Sequence, residues 1–523
     1  MLKPTTFHVV ALVGLALAVP AVGGDFEAVR KAANGTFDVF IDDARVIDGT
    51  GRPAYRADLL IKGDTIVFMG DVPAAQVEAA RTIHADGRVL SPGFIDTHAH
   101  GDAEKDDFDG FLAMGVTSIV LGQDGENANA GADADGGETL AVWMKRVEAL
   151  PFQLNVIPLS GHGSLRHLAQ IPDSARAISA EQQARMNHLV EDDLRAGSFG
   201  LSTGLEYVPG RYAETGELAS LAKQVAKADG IIISHMRSED DGLIEGAVEE
   251  LVSYGGGARI QASHLKIVFG KQVAAADRLL ALIARKQAQG VRLSADVYPY
   301  TAGYTYLGVI FPEWALPPSD YRRVLAERRD ELRDYLRARM IKRGGPDALL
   351  FGSEPFSGKT LATVAKERGV SFEEVLLDLG PLGGSGAHFT QDAKVQDRLV
   401  VSPLTAISTD AAPGLLHPRA TGTYARLIEH YVMTAKSLTL EEAVRKASGL
   451  PAASLGLSDR GVVKEGAKAD LLLFDPAKVH ARSDYLQPYV LATGFDFVFV
   501  NGSVAREGDA KSTARHGRLL KKN

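Results

Sequence analysis

The stretch FIDTHAH (residues 94–100) is a short apolar run that ends in a pair of histidines. Side chains of an extended strand alternate between faces, so His98 and His100 point the same way. Seven further stretches downstream have the same form, an apolar run that becomes polar or titratable at its end and leads into a helical segment. They are TSIVLGQDG (117–125), LNVIPLSGHG (154–163), GLSTGLEY (200–207), IIISHMRSE (231–239), IQASHLKI (260–267), LSADVYPY (293–300) and TAISTDAAP (405–413). Near-continuous apolar strands separated by helices are the mark of a parallel sheet covered on both faces, and eight is the count of a (β/α)8 barrel. An open doubly wound sheet is the alternative. No G-x-G-x-x-G follows an early strand and the full Walker-type pattern G-x-x-x-x-G-K-S/T is absent, which removes the usual reason to prefer it.

Working outward, the barrel is expected over residues 93–455. On its N-terminal side, FDVFIDDARVID (37–48), ADLLIKGDTIVFMG (57–70) and RTIHADGRVL (81–90) are β-type runs divided by Gly and Asp turns, with a helical stretch only around Ala74 to Ala80. GVVKEGAKADLLLFD (461–475) and FDFVFVNGSVAREG (495–508) repeat the pattern near the other end. Residues 36–92 and 456–515 are therefore expected to form one β-sandwich from both chain ends. The link between strands seven and eight is far longer than a crossover needs, so an inserted subdomain is expected at about 312–400. Its charge-rich stretch 319–343 reads as a solvated surface helix.

Residues 1–23 read as a signal peptide: Lys3, an apolar run from Val9 to Val19, then Pro20 and small residues. The run is well short of the roughly 20 apolar residues of a membrane span. With no cysteine after it, a lipid anchor is disfavoured too, and a periplasmic or secreted protein without a stable membrane anchor is expected.

The 523 residues hold 57 Lys plus Arg against 66 Asp plus Glu, a net charge of −9, which argues against nucleic acid as a partner. Cysteine is absent, so thiolate metal sites and cysteine nucleophiles are excluded, and any catalyst here uses oxygen and nitrogen groups. The strand ends supply these. Glu206 ends the fourth strand, His235 the fifth, His264 the sixth and Asp410 the eighth, all on the rim where barrel active sites lie. Imidazoles and carboxylates are ligands for Zn2+, Mn2+ or Co2+. Lys266 and Arg237 each lie two residues beyond a rim histidine, and Tyr207 and Tyr298 sit at strand ends. With Arg419 they suit an anionic substrate. A salt bridge to Glu239 or Asp240 is the competing reading of Arg237. His162 either donates to an oxyanion or supports the site from behind; Tyr300, Tyr304 and Tyr306 read as pocket wall, and His388 and His430 as structural.

These residues resemble a known group. SPGFIDTHAHGD (91–102), GLSTGLEYVPGRYAETGELASLAK (200–223), SHMRSE (234–239), SHLK (263–266), DVYPYTAG (296–303), HPRATGTYARLIEHYV (417–432) and LTLEEAVRKASGLPAASLGL (438–457) are similar to the amidohydrolase superfamily and, within it, to the N-acyl-D-amino-acid deacylases, or D-aminoacylases. The resemblance runs from about residue 38 to 475. It departs at the end of strand two, where many members place a cysteine ligand in Gly-Asn-Cys-Gly and this chain has Gly122-Gln123-Asp124-Gly125.

The resemblance implies a barrel with a β-sandwich, and one or two Zn2+ ions. His98, His100 and Asp410 would hold the first, His235 and His264 the second, with Glu206 or Asp124 bridging. Glu206 is the expected bridge, because its side chain is longer and Asp124 sits in a turn-like stretch where an aspartate often bonds only local backbone. Asp410 would take a proton from the attacking water and return it to the leaving nitrogen, while Lys266 and Tyr298 contact the α-carboxylate of a small N-acyl amino acid. A cyclic-amide or dipeptide hydrolase of the same superfamily would use the same metals with a different pocket. A non-catalytic binding module on the same fold is disfavoured, because His98, His100 and Asp410 are all present. Oligomeric state is not legible.

Overall fold

The computed structural model describes residues 24–129 and 138–522. The expected signal peptide, residues 1–23, lies outside them.

Eight parallel strands form a ring. The first three are Phe94–Asp96, Val116–Leu121 and Asn155–Pro158, and the third continues past Leu159 as Ser160–Gly161. Gly200–Gly204, Ile231–His235, Arg259–Ala262, Leu293–Val297 and Thr405–Ile407 follow, each paired in parallel with the one before. The ring closes where the chain beyond strand one meets the chain beyond strand eight. There Ala99 bridges Ala411 in parallel, and the His98 and Ala411 carbonyls accept from the Asp410 and His100 amides, each at 2.8 Å. Closure therefore holds His98, His100 and Asp410 side by side.

Helices between the strands follow from local signals. Helix Ala180–Ala196 begins at Ser179, whose hydroxyl accepts from the Gln182 amide in a capping box, and stops at Gly197 with φ +107°. Met186, Val190 and Asp193, spaced at helical period, are its buried face.

Strands from both chain ends interleave in one nine-stranded sheet, in which Leu471–Phe474 pairs with Val89–Pro92. The sheet curls until Thr65 bridges Lys468, enclosing Ile41, Leu59, Ile61, Leu471, Leu473 and Phe499. The alternate residues Leu472 and Phe474 belong to the barrel's own apolar cluster, with Phe94 and Phe495, so period-two patterning fastens the sheet to the barrel. The helical stretch expected around Ala74 to Ala80 is a single 3-10 turn, Ala74–Gln76, followed by strand Glu78–His84. Pairing of that strand with Thr36–Val46 overrides the alanine-rich local preference.

Between strands seven and eight, Gly303–Tyr306, Leu349–Phe351 and Ser385–His388 make a three-stranded antiparallel sheet, so the inserted layer begins ahead of residue 312. Helix Tyr321–Lys342 does more than coat the surface. Val324, Leu332, Leu336 and Met340 are buried in the insertion's own core.

Candidate metal centre

The rim residues lie on or just beyond the strand ends, in backbone conformations that side chains rarely adopt. Asp124 has φ +56°, His264 φ +35° and Asp410 φ +51°. Left-handed backbone at three converging positions is strain that the surrounding structure must hold in place. For Asp124 the means are visible. The Gly125 amide donates to Ser202 Oγ at 3.1 Å, and a Cβ on Gly204 would stand 2.0 Å from the Asp124 carbonyl oxygen. Only glycine at 204 lets the strand-two turn rest on strand four.

The side chains converge. Asp124 Oδ1 lies 3.3 Å from His98 Nε2 and 3.8 Å from both His235 Nδ1 and His264 Nε2, while Asp124 Oδ2 is 3.7 Å from His100 Nε2. Asp410 Oδ1 lies 3.4 Å from His100 and 3.7 Å from His98. His235 and His264 approach to 3.1 Å. One ligand atom from each of His98, Asp124, His264 and Asp410 falls within 4.8 Å of all the others, and His235, Glu239 and His264 form a second such group.

These donors suit a divalent cation. His98 Nδ1 and Nε2 and Asp124 Oδ1 are buried without a hydrogen-bond partner among the described residues. Buried polar atoms are otherwise paired, so the unpartnered His98 Nε2 and Asp124 Oδ1, 3.3 Å apart, form an incomplete shell. Burial pushes the His98 imidazole down, toward the neutral form whose lone pair binds metal. At His264, burial and the Lys266 charge push the same way, yet Asp410, Asp124 and Glu239 outweigh them and raise it well above its ordinary value. The same negative potential favours a cation.

Asp124, rather than the expected Glu206, stands in the middle of the imidazoles. Glu206 reaches only His235, at 3.1 Å, whereas Asp124 stands among His98, His100, His235 and His264. The tight turn delivers the shorter side chain to the middle, and length does not decide.

The centre opens into a cavity of about 990 Å3 lined by residues that include His100, Asp124, Glu206, Tyr207, His235, His264, Lys266, Asp410 and Arg419. Tyr207 bonds Thr305 at 3.2 Å, and its ring lies 4.4 Å from that of His235. Lys266 Nζ reaches Glu239 at 2.6 Å and His264 Nδ1 at 2.9 Å. Tyr298 is fully buried behind the wall, its hydroxyl accepting from Gln391, with Arg419 stacked on its ring at 5.1 Å.

Arg237 is a correction. It does not line the cavity; its guanidinium is held by Glu250 at 2.9 Å and donates to the carbonyls of Arg211 and Ala213. A salt bridge was one expected reading, but the partner is a helix residue invisible to strand spacing. His162 also turns away from the cavity, to Glu217 at 2.7 Å, which Arg166 holds in turn at 2.7 Å. Tyr304 and Tyr306 line the cavity and Tyr300 does not. His388, expected to be structural, lines it as well. Sequence reasoning missed Glu239 as a site group, although its place four residues beyond His235 in SHMRSE was a usable signal.

A model of the amidohydrolase family matches residues 387–507. An N-acyl-D-glutamate deacylase of Alcaligenes xylosoxydans xylosoxydans is 33% identical over 506 residues, covering 93% of this chain and 97% of the relative. The crystal structure of the N-acyl-D-glutamate deacylase of Bordetella bronchiseptica, complexed with zinc and a phosphonate that mimics the tetrahedral intermediate, superposes with TM-score 0.80 at 30% identity, covering 93% of this chain and 100% of that one. A D-aminoacylase structure addressing the role of its binuclear metal centre gives TM-score 0.79 at 31% identity over the same shares. Fold and rim together define an amidohydrolase barrel. Within that class, the chain belongs to the N-acyl-D-amino-acid deacylase family.

Proposed function

We propose that the protein is a metal-dependent amidohydrolase that cleaves N-acyl-D-amino acids into a carboxylic acid and a D-amino acid. The observation that carries this is the convergence of His98, His100, His235 and His264 with Asp124 and Asp410 beside one cavity. His98, Asp124, His264 and Asp410 would hold a divalent cation, with His100 and His235 beside them for a second and Asp124 shared between the two. Bound there, Zn2+ would lower the pKa of water to about 7, and Zn2+, Mn2+ or Co2+ would polarise the amide carbonyl as a Lewis acid.

The chain's own groups do the rest. Asp410 accepts the proton of the attacking water and returns it to the leaving nitrogen. Arg419 fixes one of its oxygens at 2.7 Å, which leaves the other facing the imidazoles. Lys266 and Arg419 supply positive charge for the substrate's α-carboxylate, and Tyr298 stiffens Arg419 from behind. Tyr207 packs on His235 in the wall of the same cavity. The test is a hydrolysis screen of paired N-acyl-D- and N-acyl-L-amino acids, dipeptides and cyclic amides, with metal measured on the same preparation. D-enantiomers are expected to lead by at least about tenfold, about 1.4 kcal/mol of transition-state binding. Equal use of both enantiomers, or faster turnover of cyclic amides, contradicts the proposal.

The place of work is proposed as the periplasm or outside the cell, supported by the pattern of residues 1–23. No helix among the described residues is long and apolar enough to cross a membrane. N-terminal sequencing of the mature protein from fractionated cells tests this; an intact Met1 on cytoplasmic material contradicts it.

A further inference from the structure

The seam where the barrel closes is held by side chains. Among the described residues, strand one, Phe94–Asp96, forms a ladder only with strand two, whereas strand eight runs beside strand seven from Ala295↔Thr405 to Val297↔Ile407. Backbone pairing between strands one and eight is confined to the stretch past their ends, around the Ala99–Ala411 bridge. Deeper in the seam, Tyr424 sets its hydroxyl between the carbonyls of Ile95 and Ile407, at 3.3 and 3.0 Å. Nearer the rim stands Asp96, fully buried. Its Oδ1 accepts from the amides of His98 at 3.1 Å and Thr409 at 3.0 Å, and its Oδ2 accepts from the Thr409 hydroxyl at 2.6 Å. That hydroxyl in turn accepts from the Ala411 amide at 3.2 Å.

These bonds enclose Asp410. The residue before it and the residue after it are both tied to the Asp96–Thr409 pair, and its own amide donates to the His98 carbonyl at 2.8 Å. Asp410 has φ +51°, left-handed backbone that a side chain adopts only where its surroundings impose it. Arg419 reaches the Asp410 carboxylate; the Asp96–Thr409 pair reaches the backbone on either side. One oxygen, Asp96 Oδ1, takes an amide from each side of the seam, so a single atom sets the spacing between His98 on strand one and Asp410 beyond strand eight. Apolar side chains would close the seam at a lower desolvation cost, so three bonds drawn to one buried carboxylate point to geometry as what it secures.

We infer that Asp96, with Thr409, is a positioning residue for the reaction: it acts through the backbone of His98 and Asp410 and sets where their side chains stand relative to each other. The inference rests on the reading of Asp410 as the proton carrier.

The test uses full-length protein loaded with Co2+, with kcat normalised to bound metal so that a poorly loaded or partly unfolded fraction does not count. Thr409→Val keeps the shape and removes the hydroxyl; Thr409→Ser restores it. Thr409→Val is expected to lose at least about tenfold in kcat per bound metal with KM within about threefold, Asp96→Ala about a hundredfold, and Thr409→Ser to stay within about threefold of the parent. Tyr424→Phe removes a seam hydroxyl farther from the site and serves as the control. It should lower the melting temperature and keep kcat per bound metal. The visible absorption of bound Co2+ reports ligand geometry, and its bands should shift in Thr409→Val and stay in place in Tyr424→Phe. A smaller loss in Thr409→Val, a loss expressed in KM, an equal loss in Thr409→Ser or Tyr424→Phe, or unmoved Co2+ bands overturns the inference. Should Asp96→Ala fail to fold, Thr409→Val decides alone. A parent protein that hydrolyses no N-acyl-D-amino acid counts against the deacylase reading instead, and the Co2+ bands then decide the positioning role by themselves.

Discussion

Arg419 donates from Nη1 to Asp410 Oδ2 at 2.7 Å, while Asp410 Oδ1 faces His100 at 3.4 Å and His98 at 3.7 Å. The two oxygens of one carboxylate thus serve different neighbours. Burial raises the Asp410 carboxyl, but the Arg419 charge and the imidazoles outweigh it and hold it well below the usual carboxylate range. Asp410→Asn keeps the shape and cannot take a proton, so turnover should fall by about a thousandfold or more with little change in melting temperature. Arg419→Lys keeps a charge but loses the fork, and a fall of about ten- to a hundredfold in kcat is expected. Near-normal turnover of a folded Asp410→Asn protein would remove Asp410 from the mechanism.

Lys266 and Glu239 make a second pair with divided duties. Lys266 touches both Glu239 and His264, and Glu239 lies 3.1 Å from His264 Nδ1. Carboxylates that orient a ligand histidine typically contribute ten- to a hundredfold in metal affinity. Glu239→Gln is therefore expected to weaken metal binding by about that factor, whereas Lys266→Met should raise KM and spare the metal. Metal titration beside steady-state kinetics separates the two. An unchanged KM in Lys266→Met excludes a substrate-binding role for the lysine.

Asp124 and Glu206 offer a direct contrast. Asp124→Asn keeps the turn but gives up an anionic ligand facing four imidazoles, so bound metal and activity should fall together, activity by about a hundredfold or more. Glu206→Gln alters a group that reaches His235 alone and should retain most of the metal. Metal analysis of the two purified variants checks this, and loss of metal from Glu206→Gln with retention in Asp124→Asn would reverse the assignment.

The barrel and its histidines were legible because their signals are local. Apolar runs mark the parallel strands, and a polar residue at or just past the end of a run falls on the rim, as His98, His100, His235, His264 and Asp410 do. The sequence favours Glu206 over Asp124 because side-chain length is visible in it and the left-handed φ of Asp124 is not. Arg237 was drawn to the site by period-two spacing, which holds only while the strand lasts; strand five ends at His235. The buried face of helix Tyr321–Lys342 is hidden for a different reason: it carries so many charges that composition points to solvent, and only the packing of Leu332, Leu336 and Met340 turns that face inward.

Behind the site, Asp193 ties helix Ala180–Ala196 to the barrel, accepting from Ser160 Oγ at 2.6 Å and from the Ala141 amide at 2.9 Å. Burial is the leading influence on its carboxyl and outweighs both bonds, raising its pKa from 3.8 to about 6. Between those values the folded protein binds a proton that the unfolded chain has lost. This contribution to stability is therefore fully present below about 3.8 and disappears as pH rises through about 6, a difference on the order of 3 kcal/mol. An asparagine can replace both bonds, its oxygen accepting from the Ala141 amide and its amide donating to Ser160. Asp193→Asn is accordingly expected to be as stable as the unmodified protein at pH 4 and more stable at pH 7.5, by about 1–3 kcal/mol. Denaturant melts at the two values measure it. A variant less stable at pH 7.5 than the parent shows that Asp193 works as a charged group, and that the ionised carboxylate is the form that holds the helix.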